Sequence, residues 1–137
     1  FGTLTQPETD TDSFKDVNFT VTATKIENLS DTDYVIVRVK NEGATVDDSA
    51  FYLTQKTSPN TKLTYDMYDR KRIGDFDIPL NKGKMVNPDG YYLVDFRHTG
   101  ESKTGTLRLN QKQLYGKDIS EIAGNYSGTM VFISSII

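Results

Sequence analysis

The sequence has no cysteine and no tryptophan, and its 137 residues include a single histidine, His98. The absence of cysteine excludes thiol catalysis, cysteine-ligated zinc and a disulfide-stapled scaffold. The longest apolar run, Met130–Ile133, has the length of a strand and is far shorter than the roughly 20 residues of a membrane helix. The net charge of −3 disfavours general attraction to nucleic acid. What is left is a globular chain whose length suits one domain.

Residues that carry catalytic chemistry are also scarce. His98 stands beside Thr99 and Gly100 in a predicted turn, and no G-x-S-x-G nucleophile motif accompanies it. Carboxylate pairs such as Asp47 and Asp48 occupy turn positions, where turn chemistry explains them. The sequence contains neither a glycine-rich phosphate loop nor a cluster with metal-ligand spacing. We therefore expect a protein that is not an enzyme and holds no metal or cofactor.

The strongest positive signal is the alternation of apolar and polar residues from Val17 onward, which is the period of a strand with one buried face. Alternating runs between turn signals predict strands over residues 17–24, 34–40, 50–54, 63–68, 75–80, 92–96, 107–109 and from 126 onward. Residues 111–122 alone fit a helical turn. This pattern predicts an all-β, immunoglobulin-like β-sandwich of seven to eight strands over residues 17–137, with a closed barrel as the alternative.

Residues 1–16 differ from the rest of the chain. They lead from Phe1 through Pro7 into an acidic, polar stretch without periodicity, Glu8–Ser13. Such composition is typical of a linker or a mobile N-terminal arm. The predicted domain boundary therefore lies between residues 16 and 17.

The C-terminal segment carries the most specific pattern. Residues 123–128 read Ala-Gly-Asn-Tyr-Ser-Gly, and a strand-like run continues to Ile137. The form A-G-x-Y-x-G followed by a terminal strand resembles the end of chaperone–usher fimbrial subunits (pilins and adhesins) of Gram-negative bacteria. Some Gram-positive surface domains, including the WxL type, end in a similar way. The segment 18–24 also resembles the opening strand of disulfide-free, enterotoxigenic-type fimbrial subunits.

The resemblance implies a sandwich that lacks its seventh strand, with a hydrophobic groove that a donor strand of the next subunit fills. It implies export through the periplasm to the bacterial surface, and neighbouring fimbrial subunits, a periplasmic chaperone and an outer-membrane usher as partners. Contact with a host glycan or protein receptor is compatible with it, whereas nucleic acid and membrane insertion are not expected. The implied site residues are Val17, Phe19, Val21 and Ala23 for the donor strand, and Tyr126, Met130, Val131, Phe132 and Ile133 for the groove and C-terminal strand.

Three alternatives stay open at this point. Either residues 17–23 are the donor segment, or that strand is part of the sandwich and the donor arm lies upstream of it. In the last strand, apolar residues occur on both faces. This fits either an edge strand bordering the groove or a central strand buried on both faces. The predicted open edge lies beside the corner at residues 123–126. The alternative function is a stand-alone carbohydrate- or cell-wall-binding module of a larger surface protein.

Overall fold

The structure is a computed structural model that describes residues 1–26, 29–69 and 78–137. Alternating residues with high strand propensity form the eight strands found in this part of the chain. They are β1 (Phe14–Thr22), β2 (Val35–Asn41), β3 (Phe51–Gln55), β4 (Lys62–Tyr68), β5 (Tyr91–Phe96), β6 (Ser102–Asn110), β7 (Tyr126–Ser127) and β8 (Met130–Ile136). A 3₁₀ turn (Gln111–Leu114) and one helix, α1 (Ile119–Ile122), confirm the helical turn predicted within 111–122.

The strands form two antiparallel sheets, which confirms the predicted all-β sandwich. The large sheet has the order β1-β6-β4-β3-β7, and the small sheet has the order β5-β2-β8. Among the described strands no pairing joins the two sheets into a closed barrel. Completion of the fold by a donor strand stays a prediction.

Two of the strand predictions are wrong, one in its start and one in the described part of its range. The first strand begins at Phe14 rather than Val17, because Phe14, Lys15 and Asp16 also pair with the end of β6. The predicted strand over 75–80 is absent at Ile78 and Leu80, where the chain turns beside β4 and the Leu80 N–H donates to the Met67 carbonyl at 2.7 Å. Pro79 between them has no N–H to give to a ladder. Residues 75–77 of that prediction lie outside the described residues.

The predicted terminal strand is divided in two, since the chain changes sheets at Gly128. β7 pairs with β3 in the large sheet, whereas β8 pairs with β2 in the small sheet. The crossing brings Gly128 so close to β3 that a Cβ atom there would lie 2.5 Å from the Tyr52 carbonyl oxygen. Alternation cannot reveal such a crossing, because both halves keep the same period.

Aromatic rings close one side of the sandwich, where β3 faces β5. The Phe51 ring lies 5.5 Å from Tyr65 and 5.7 Å from Tyr91, which joins the two sheets. Burial raises the pKa of Tyr65 to about 12. Two loop residues pack beside these rings. Ser49 Oγ accepts a hydrogen bond from the Tyr91 hydroxyl at 2.9 Å, and Met85 is buried in the core. Loop residues therefore cover this side.

Candidate functional site

The other side of the sandwich is bounded by two edge strands, β1 and β8. Each is the last strand of its sheet among the described strands. They approach each other through the rings of Phe19 and Phe132, whose centroids lie 6.1 Å apart. No described strand lies between them. We call the opening beside this ring contact the β1–β8 groove.

β8 points two apolar side chains, with a serine between them, into this opening. Phe132, Ser134 and Ile136 lie opposite Val39, Val37 and Val35 of β2. Residues directly opposite each other in an antiparallel pair share one face of the sheet, and the β2 valines belong to the core or pack against it. Phe132 is nevertheless 41% exposed and Ile136 is 66% exposed. Side chains on the inner face of a sandwich are normally covered, so this part of the inner face is uncovered.

The same residues carry the unpaired backbone groups of the edge. Tyr34 and Ile137 exchange both backbone hydrogen bonds, at 3.0 and 2.9 Å. Hydrogen-bonded pairs alternate along an antiparallel ladder, so Ser135 and Ile133 also direct their N–H and C=O groups toward β2. Phe132, Ser134 and Ile136 then direct theirs away from β2, toward the β1–β8 groove. The edge thus offers both unpaired main-chain groups and the apolar side chains of Phe132 and Ile136.

The β1–β8 groove has a volume of about 650 Å³. Its floor includes the core residues Val37 and Phe96, and its walls are formed by β8 and by the end of β1 with the segment that follows it. Ile26 of that segment extends the apolar lining past the end of β1. A chain in extended conformation with alternating apolar residues fits such a surface.

Of the predicted donor residues, Val17, Phe19 and Val21 lie in β1 and Ala23 directly follows it. β1 is paired with β6 over its whole length. Phe19 sits where Gly105 leaves room: a Cβ at Gly105 would lie 2.4 Å from the Phe19 ring. Val21 and Ala23 line the groove, whereas Val17 lies farther along the strand and is partly exposed. A donor role of this strand stays a prediction.

The predicted groove residues are divided by the structure. Phe132 lines the β1–β8 groove and Met130 packs against the core, but Val131 and Ile133 lie opposite Lys40 and Arg38 on the outer face of the small sheet. Tyr126 is in β7, beside β3 and away from the groove. The β1–β8 groove therefore does not lie beside the 123–126 corner, because the chain crosses between the sheets after β7.

Several groove residues were missed by the sequence analysis. Val37 and Phe96 were assigned only to the interior of strands, and Ile26 to no element. Ser134 was missed because a polar residue in an apolar strand carries no signal of its own. Only the partner strand of each residue reveals the groove, and that pairing is not local in sequence.

Metal binding, membrane spanning and catalysis each require particular features of the described residues. They contain no group of three or more side chains that could hold a metal ion. Among them there is also no helix long and apolar enough to cross a membrane. His98 is exposed in the turn after β5, as predicted. That the chain is not an enzyme stays a prediction.

Comparison with protein-family models, curated proteins and solved structures finds no match to this chain.

Proposed function

We propose that this chain is a structural subunit of a bacterial surface fibre, and that it accepts a β-strand from a neighbouring copy in the β1–β8 groove. One observation carries the proposal. The inward side chains of β8 are exposed along a strand edge whose backbone groups have no partner among the described strands. An uncovered edge of this kind promotes association with another chain unless something occupies it.

The incoming strand would add to the small sheet beside β8. Its backbone would bond to Phe132, Ser134 and Ile136, and every second side chain would enter the groove. The space opposite Ser134 is larger than the space opposite its neighbours, since serine is much smaller than phenylalanine or isoleucine. A bulky apolar residue of the donor fits there.

Two segments of the chain are candidates for the donor. Residues 14–24 have the required alternation, but residues 14–22 are paired with β6 and must leave it before they can be donated. Residues 1–13 lie upstream of β1 and form no regular secondary structure, but the contacts of Phe1 with Tyr65 and of Gln6 with Leu114 must break before this segment can be donated. The pairing of β1 supports the version in which that strand belongs to the body. Export by chaperone and usher and contact with a host receptor belong to the same proposal and are supported by the sequence resemblance alone.

The experiment adds synthetic peptides of residues 1–13 and 14–24 to the full chain and measures affinity and Tm. One peptide is expected to raise the Tm, because a ligand that binds the folded state stabilises it by mass action. Ser134→Pro should lower the affinity for that peptide at least about tenfold, since proline removes an N–H on the open edge and its ring projects there.

Ser134→Ala is the matched control and keeps the N–H, so its affinity should stay close to that of the parent chain. The proposal is wrong if neither peptide changes the Tm, or if Ser134→Pro binds as well as Ser134→Ala.

A further inference from the structure

A second cavity lies on the large sheet, away from the β1–β8 groove. Residues 1–6, which we call the strap, form one wall, and the segment 119–128 forms another. Leu53 and Leu63 of the large sheet belong to the lining. The volume is about 780 Å³, which is within the range of about 300–1,000 Å³ that is typical of small-molecule sites. We call this opening the strap cavity.

The strap is fixed at both ends. The Phe1 ring lies 5.5 Å from the ring of Tyr65. At the other end, the Gln6 side-chain amide donates to the carbonyls of Leu114 at 2.9 Å and Lys117 at 2.7 Å. Leu4 lies between these two anchors and packs against the core cluster. The wall is therefore built by specific contacts, and the space behind it is part of the fold.

The corner opposite the strap is equally well defined. The Tyr126 hydroxyl donates to the Ile122 carbonyl at 2.8 Å, and partial burial raises the pKa of Tyr126. Buried Gln55 donates through its amide to the carbonyl of Ala123 at 2.5 Å. These bonds hold the turn that leads from α1 into β7.

The chemistry of the lining selects an uncharged ligand. Charged residues make up 26% of the chain, yet none of the described residues that line the strap cavity has a charged side chain. A phosphate, carboxylate or ammonium group would lose its hydration there without a side chain of opposite charge to pair with. The polar side chains of the lining are amides and hydroxyls, including Asn125 and Ser127. These groups can bond to an alcohol, amide or ester.

The apolar part of the lining favours a flexible aliphatic chain. Leucine and isoleucine are the most numerous apolar side chains of the lining, and Ile119 among them is 64% exposed. β7 borders the cavity at the edge of the large sheet, and its two residues are too few to support a ladder with a peptide. From these features we infer that the strap cavity binds a single alkyl or acyl chain with an uncharged head group.

The experiment titrates the full chain with 1-octanol, and with octanoate as the charged probe of equal chain length. Methyl resonances of leucine and isoleucine are followed by NMR. We expect saturable shifts at Leu53 and Leu63 with 1-octanol, and affinity for octanoate at least about tenfold weaker.

Ile119→Gln and Ile136→Gln are a matched pair, because both isoleucines are about two-thirds exposed and each lines a different opening. Ile119→Gln should weaken octanol binding about fivefold, and Ile136→Gln should leave it unchanged. The inference fails if the shifts do not saturate, if octanoate binds as tightly as 1-octanol, or if the two variants behave alike. The strap is in place in the free chain, so none of these outcomes requires strand exchange in the β1–β8 groove.

Discussion

Gly90→Ala is expected to lower the free energy of unfolding by about 3–5 kcal/mol, which is a large part of the about 5–15 kcal/mol of a typical domain. Gly90 has φ of +123°, a conformation that is nearly exclusive to glycine. A Cβ atom there would also lie 2.5 Å from the carbonyl oxygen of Val39. Val39 is fully buried in the central strand of the small sheet, so its backbone cannot move away.

Gly43→Ala is the control for backbone conformation alone. Gly43 also has positive φ, +76°, but no atom lies within 4 Å of the position of its Cβ. Its replacement should cost about 1 kcal/mol. Urea denaturation of both variants measures the difference. Equal losses would show that Gly90 does not approach β2 as closely as described.

Ser135→Pro is expected to lower the free energy of unfolding by about 3 kcal/mol, while Ser134→Pro lowers it by less than about 1 kcal/mol. The pairing register places Ser135 opposite Ile36 in a hydrogen-bonded pair. Proline at 135 removes that N–H and leaves the carbonyl of buried Ile36 without its donor. Ser134 directs its N–H to the open edge, where proline is tolerated.

Adjacent positions in one strand thus have opposite sensitivities, which thermal and urea denaturation can compare directly. Similar losses for both variants would contradict the assignment of β8 as an edge strand. A larger loss for Ser134→Pro would mean that the groove side of β8 is already paired in the single chain.

The sequence was sufficient to predict elements whose signal is local. Alternation at residues 17–24 and 34–40 identified β1 and β2 to within a few residues, because one face of each strand packs toward the core. The exposed position of His98 followed from turn chemistry in the same way. Each of these features is determined by a few residues that are neighbours in the sequence.

Features that depend on distant partners could not be predicted in this way. The last strand has apolar residues on both faces, so the pattern alone could not distinguish an edge strand from a central one. Pairing with β2 alone among the described strands settles that alternative in favour of the edge. The contacts of Phe1 and Leu4 with the core cluster were missed because isolated apolar residues in a polar segment have no periodicity.

Amide hydrogen exchange at β8 tests the central claim, that this strand has a free edge which accepts another strand. In the free chain, the amides of Phe132, Ser134 and Ile136 should exchange rapidly, while those of Ile133 and Ser135 are protected by β2. Saturation with the strand peptide that binds should slow exchange at the first three amides by about 100-fold or more. Protection of these three amides in the free chain, or no gain in protection when the peptide is bound, would contradict the claim.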